Sequence, residues 1–194
     1  MGKEPYSVGG HSAVRETEQN YSGLMKQNVL STEMSIRRKK NEELHVFDSK
    51  GNYLMSFQGR GNSVRNIEGI PENSIITHNH PRALGRSGIQ AIGNSFSADD
   101  IITAVTFNAK EIRAVTPTYT FSIKRPKSGW GVTISEVKRA FNKANQEVSH
   151  EFSSYVSGRS YSETAINRAT VRHFHEINKR LAKRFGWTYS KKNS

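Results

Sequence analysis

Apolar positions fall into short runs through the first two thirds of the chain and into spacings of three and four in the last third. This order predicts strands with one intervening helix, followed by two helices. Residues 44–47 and 53–57 are apolar-rich and flank Asp48-Ser49-Lys50-Gly51-Asn52, the turn chemistry of paired strands, so they predict a hairpin. Ser74-Ile75-Ile76-Thr77 reads as a buried strand that delivers the chain to His78-Asn79-His80-Pro81, where Pro81 ends regular structure. Residues 82–94 hold three glycines and little periodicity, and are expected to form a mobile loop. Ser97, followed by Asp99 and Asp100, is the N-cap of a helix running to about Ala109. Residues 111–116 and 118–123 predict two more strands around Pro117.

After a linker at 126–131, Ile134, Val137, Phe141, Ala144, Val148, Phe152 and Tyr155 mark one helix. Ile166, Ala169, His173, Ile177, Leu181 and Phe185 mark a second, which Gly186 caps. Residues 156–162 join the two. The expected class is α+β, divided into an arm at 1–36, a central domain at 37–125, a helical hairpin at 132–187 and a basic tail at 188–194. The arm is polar, with an apolar patch at Leu24, Met25, Val29 and Leu30, and is expected to be partly helical.

Composition narrows the chemistry. The 194 residues contain no cysteine, which excludes disulfides and thiolate metal sites and leaves His, Asp and Glu as the strong ligands. No apolar run approaches the length of a membrane span and the polar N-terminus lacks the core of a signal peptide, so a cytoplasmic protein with no membrane association is expected. The net charge is +12, and from Lys124 onward fifteen Lys and Arg face five Glu, which places ten of the twelve charges in the C-terminal part. Lys138, Arg139, Arg172, Lys191 and others there could track the phosphates of a nucleic acid or dock an acidic protein. They could equally form a solvated helix face, and no nucleic-acid-binding motif accompanies them.

Residues i and i+2 of a strand point the same way, so His78 and His80 can offer two imidazoles to one metal. Asp100, in the first turn of the next helix, can add a carboxylate and leave a fourth position open, the pattern of a catalytic zinc. Ser97 and Asp100 also form a capping box whatever the function, and Asp99 is the nearest rival ligand. A second His-x-His, His173 and His175, lies on a predicted helix, where such positions diverge by about 200° and do not share an ion. His45 and His150 have structural or surface roles, and His11 lies in the arm.

His78-Asn79-His80-Pro81 followed by Ser97-Ala98-Asp99-Asp100 resembles the signature of the JAMM (JAB/MPN) zinc metallopeptidases, His-x-His then Ser-x-x-Asp. The His-Asn-His-Pro form is most similar to the bacterial RadC-like and phage-associated branches. The resemblance spans residues 37–125 and implies a mixed sheet with flanking helices. It also implies zinc on His78, His80 and Asp100, a general-base glutamate at Glu42 or Glu43 with Glu42 preferred, and Ser97 beside the tetrahedral intermediate. Substrates implied are a protein tail or a ubiquitin-like conjugate, cleaved at a peptide or isopeptide bond, with virion processing or host conflict as the setting. Asp100 follows His80 by twenty residues, more than in most members, so residues 82–94 read as an insertion. Lengthening a loop costs little, so the site can survive it. The alternative is a non-catalytic binding or inhibitor module on the same scaffold, with the basic helices contacting the partner.

Overall fold

The hairpin expected around Gly51 is present as β1 (Glu43–Phe47) and β2 (Tyr53–Gln58), with Asp48 accepting from the backbone amides of Lys50 and Asn52 at 2.8 and 2.9 Å. A computed structural model describes residues 28–61, 63–81, 94–156 and 162–193. Most of the arm, nearly all of the loop at 82–94 and most of the joint at 156–162 lie outside these residues.

The strand leading to the histidines is β3 (Ile75–Asn79), the helix after them is α2 (Ala98–Thr106), and β4 (Glu111–Val115) and β5 (Tyr119–Lys124) follow. Among the described residues the sheet has six strands in the order β2-β1-β3-β4-β5-β6, where β6 is Thr188–Asn193. Only β3 and β4 pair in parallel, and α2 is the crossover between them. The α+β class is therefore observed, with a mixed sheet.

One sheet face carries the main core. Leu44, Val46, Ile76, Ile112, Ala114, Phe121 and Ile123 point toward Ile101 and Ala104 of α2. The same cluster contains Val137, Phe141, Ala144 and Val148 of α3 (Ile134–Val156) and Ile177 and Leu181 of α4 (Glu163–Phe185). Of the expected three-and-four stripes, Val137, Phe141, Ala144 and Val148 of the first helix and Ile177 and Leu181 of the second are buried, whereas Ile134, in the first turn, is 41% exposed. The C-terminal helices share this core and are not an appendage to it. The stretch expected as a linker is stitched in by Trp130, whose Nε1 donates to the Ala109 carbonyl at 3.0 Å, while Trp187 Nε1 donates to the Trp130 carbonyl at 3.1 Å.

Residues 188–193 correct the expectation of a basic tail. They pair antiparallel with β5 along its whole length, from Lys124↔Thr188 to Tyr119↔Asn193, and Lys191 lies over the Tyr119 ring. Part of the positive charge expected to be free is also used internally, since Arg180 pairs with Glu147 and Glu151 at 3.2 and 2.7 Å.

On the other sheet face α1 (Val29–Ile36) packs over β3 and β1. Its Glu33, 2% exposed, accepts from Arg113 of β4 at 2.5 and 3.0 Å and from Thr77 Oγ1 of β3 at 3.0 Å. A carboxylate this deep is tolerable because both oxygens have donors. Among the described residues no helix is long and apolar enough to cross a membrane.

Candidate metal centre

Alternation along β3 sends Ile76 and His78 into the main core and Thr77 and Asn79 to the opposite face. His80 follows directly, its amide donating to the Val115 carbonyl at 2.9 Å, and its ring turns back toward that of His78. The two Nε2 atoms stand 2.9 Å apart. Helix α2 begins across the cleft, and Asp100 in its first turn brings Oδ1 to 3.1 Å from His78 Nε2 and Oδ2 to 3.6 Å from His80 Nε2. Among the described residues these three form the convergent group of metal-ligating side chains. The centre therefore sits where the parallel crossover leaves the carboxyl end of β3, the usual place for a ligand beside such a unit.

The donor set fits a divalent ion. Bonds of about 2.0–2.1 Å in tetrahedral array place donor atoms about 3.3–3.4 Å apart, and here one ligand atom from each of the three residues lies within 4.8 Å of the others. Two imidazole lone pairs facing each other at 2.9 Å repel unless a proton or a cation lies between them. His80 Nδ1 lies 2.6 Å from the Asn94 carbonyl, which can only accept, so the ring proton sits on Nδ1 and the Nε2 lone pair faces the centre. Among the described residues, Nδ1 of His78, 1% exposed, has no partner. Burial alone would raise the Asp100 carboxyl, but the adjacent His78 and His80 outweigh it and hold it well below the usual range. Burial alone would lower His80, but Asp100 and the Asn94 carbonyl outweigh it and raise it.

Ser97 caps α2 as expected. Its Oγ donates to Asp100 Oδ2 at 2.8 Å and accepts from the Asp100 amide at 3.3 Å, while its own amide donates to Oδ2 at 2.7 Å. A serine has one hydroxyl proton, and here it is directed at Asp100. In this geometry Ser97 orients the Asp100 carboxylate. Asp99 is exposed at the rim, so of the pair it is Asp100 that converges with the two histidines.

The two glutamates separate cleanly. Leu44 pairs with His78, so continuing that antiparallel register by two residues sets Glu42 opposite His80, on the core face. Glu42 is 8% exposed and lines a cleft of about 420 Å³ with His78, His80 and Asp100. Burial raises its carboxyl above the ordinary range, with His78 and His80 opposing and Asp100 reinforcing. Glu43 faces the other way, to Lys39 Nζ at 2.7 Å and His45 Nε2 at 3.3 Å, and does not belong to the cleft.

The backbone around Glu42 is fastened by a residue that sequence reasoning passed over. Asn79, fully buried between the two histidines but on the opposite face, accepts from the Glu43 amide at 2.8 Å and donates to the Asn41 carbonyl at 3.1 Å. On the far side the Glu42 amide donates to the Gly61 carbonyl, and its carbonyl accepts from the Gly59 amide, both at 2.8 Å. A Cβ on Gly59 would lie 2.7 Å from the Glu42 carbonyl oxygen and 2.5 Å from that of Ser63, so this close approach requires glycine.

The second His-x-His is split as its helical spacing demands, with His173 on Asn145 at 2.8 Å and His175 on Tyr189 at 2.8 Å. Comparisons with family models, with characterised proteins and with solved structures return no match to this chain.

Proposed function

We propose that this protein is a zinc-dependent hydrolase of peptide or isopeptide bonds of the JAMM type, with His78, His80 and Asp100 as ligands and Glu42 as general base. The observation that carries the reading is the convergence of two imidazoles and a carboxylate on one point, beside a buried carboxyl in the same cleft. Zinc held there supplies a Lewis acid and lowers the pKa of a water toward about 7. Glu42, lining the same cleft, would serve as the proton acceptor and donor there, and its raised carboxyl lies nearer the value a base needs at neutral pH. Asn94 and Ser97 hold His80 and Asp100 in their binding orientations. The apolar wall formed by Leu44, Val64, Ile67 and Phe174 seats the substrate chain and limits water to the metal side.

The test has two stages. Elemental analysis should find about one zinc per chain in the wild type and none in the His78→Ala/His80→Ala variant. Against a panel of peptide and isopeptide substrates, Glu42→Gln should then retain zinc and lose about 10²–10⁴-fold in turnover, while Glu43→Gln keeps its activity. A wild type that takes up no zinc, or a Glu42→Gln protein that remains active, overturns the reading.

A further inference from the structure

Residues 94–97 touch every proposed ligand. The Asn94 carbonyl holds the His80 ring, the Phe96 ring lies 6.3 Å from that of His78, and Ser97 holds Asp100. What holds this segment in turn comes from the far end of the chain. Ser95 Oγ lies 2.9 Å from the Tyr189 hydroxyl of β6, and that hydroxyl lies 2.8 Å from His175 Nδ1 of α4. Asn178 of α4 directs its Nδ2 at Ser95 Oγ, the Phe96 carbonyl and the Phe174 carbonyl, at 3.3, 2.9 and 2.8 Å.

These groups are deep, with Ser95 at 1% and Asn178 at 0% exposure, and among the described residues Asn178 Oδ1 has no partner. Polar side chains at such positions stabilise a fold less than apolar ones of the same shape. What they add is direction. The Asn94 carbonyl and the Ser95 amide share one planar peptide unit, so immobilising Ser95 fixes where that carbonyl points. Anchoring Phe96 from the other side fixes the approach to the α2 cap.

We propose that Tyr189 and Asn178 are positioning residues of the metal centre, acting through residues 94–97, so that the C-terminal helix and strand complete the site. This rests on the metal-binding reading above. It gives β6 a role that its Lys-rich, half-exposed sequence does not suggest. It also explains why the C-terminal helices share the core of the sheet that bears the ligands.

The experiment titrates the full chain with Zn²⁺ against a chelator of known affinity and records the visible spectrum of the Co²⁺ form. The proteins are wild type, Tyr189→Phe, Asn178→Leu and Ser190→Ala. Ser190 is the control, because its Oγ bonds Ser122 at 2.9 Å from the same strand without facing the centre. Partners beyond the first ligands typically alter metal affinity about 10–100-fold, and Tyr189→Phe and Asn178→Leu should weaken zinc by about 10-fold. Both should alter the cobalt spectrum, while Ser190→Ala matches wild type even where thermal melts show equal loss of stability. Ser95→Ala, which deletes one hydroxyl, gives a second measurement should either variant fail to fold. Wild-type affinity and spectrum in all of these variants would overturn the inference and leave the metal centre standing. No binding by the wild type would overturn the centre itself, and this inference with it.

Discussion

Replacing Asn79 by alanine should destabilise the protein and remove Glu42 from its working position without touching a ligand. The Asn79 side chain is fully buried and holds the Glu43 amide and the Asn41 carbonyl. Its removal leaves the buried amide without a partner at about 1–3 kcal/mol, with the rest of the cost coming from the carbonyl and the small void. A total of about 2–4 kcal/mol corresponds to a melting temperature lowered by about 5–15 °C for a chain of this length. Asn79→Asp should do no better, since it keeps the acceptor for Glu43 but turns an oxygen toward the Asn41 carbonyl. The side chain lies on the face opposite His78, so zinc affinity should stay within about threefold of wild type while turnover falls at least 10-fold. Thermal melts, chelator competition and the substrate panel together read all three quantities. A loss of stability under about 0.5 kcal/mol, or a fall in zinc affinity as large as the fall in turnover, would refute the division of labour between the two strand faces.

Two further outcomes follow from the opposite face. Glu33→Ala leaves Arg113 partly buried without its main partner and should cost about 3–5 kcal/mol by urea denaturation, whereas Glu33→Leu with Arg113→Met should recover most of it; equal losses in both would contradict the desolvation argument. At Glu43, burial opposes and the Lys39 and His45 contacts prevail, so its folded carboxyl lies below the ordinary value. Its contribution is therefore complete above the unfolded value of about 4.3 and disappears as pH falls through the lower folded value. The stability gap between wild type and Glu43→Gln should be widest near neutral pH and close in acid, and a gap that widens in acid would reverse the sign.

The site was legible where local rules suffice. Strand alternation pairs His78 with His80 once the second ring turns back, and the Ser97 cap places Asp100 in the first turn of α2 whatever lies around it. The choice between Glu42 and Glu43 had a usable signal, since Glu42 shares parity with Leu44 and Val46 on the core face, but His45 and Phe47 on the other face blur that alternation. The strand β6 was hidden because Lys191 and Lys192 read as a solvated tail, and only its pairing with β5, remote in sequence, makes it a strand. Asn79, Asn178 and Tyr189 hold partners such as the Glu43 amide, the Phe96 carbonyl and His175, each at least 14 residues away, for which periodicity carries no signal.

The chain has two tryptophans, and both belong to one feature. Trp130 and Trp187 meet edge to face at 5.1 Å, each 5% exposed, where the segment leaving the sheet crosses the end of α4. Intrinsic fluorescence of this molecule is therefore a local gauge and not an average over the fold. A red shift of the emission registers water reaching that junction, and so separates the undocking of the C-terminal helices from the melting of the strands that carry the histidines.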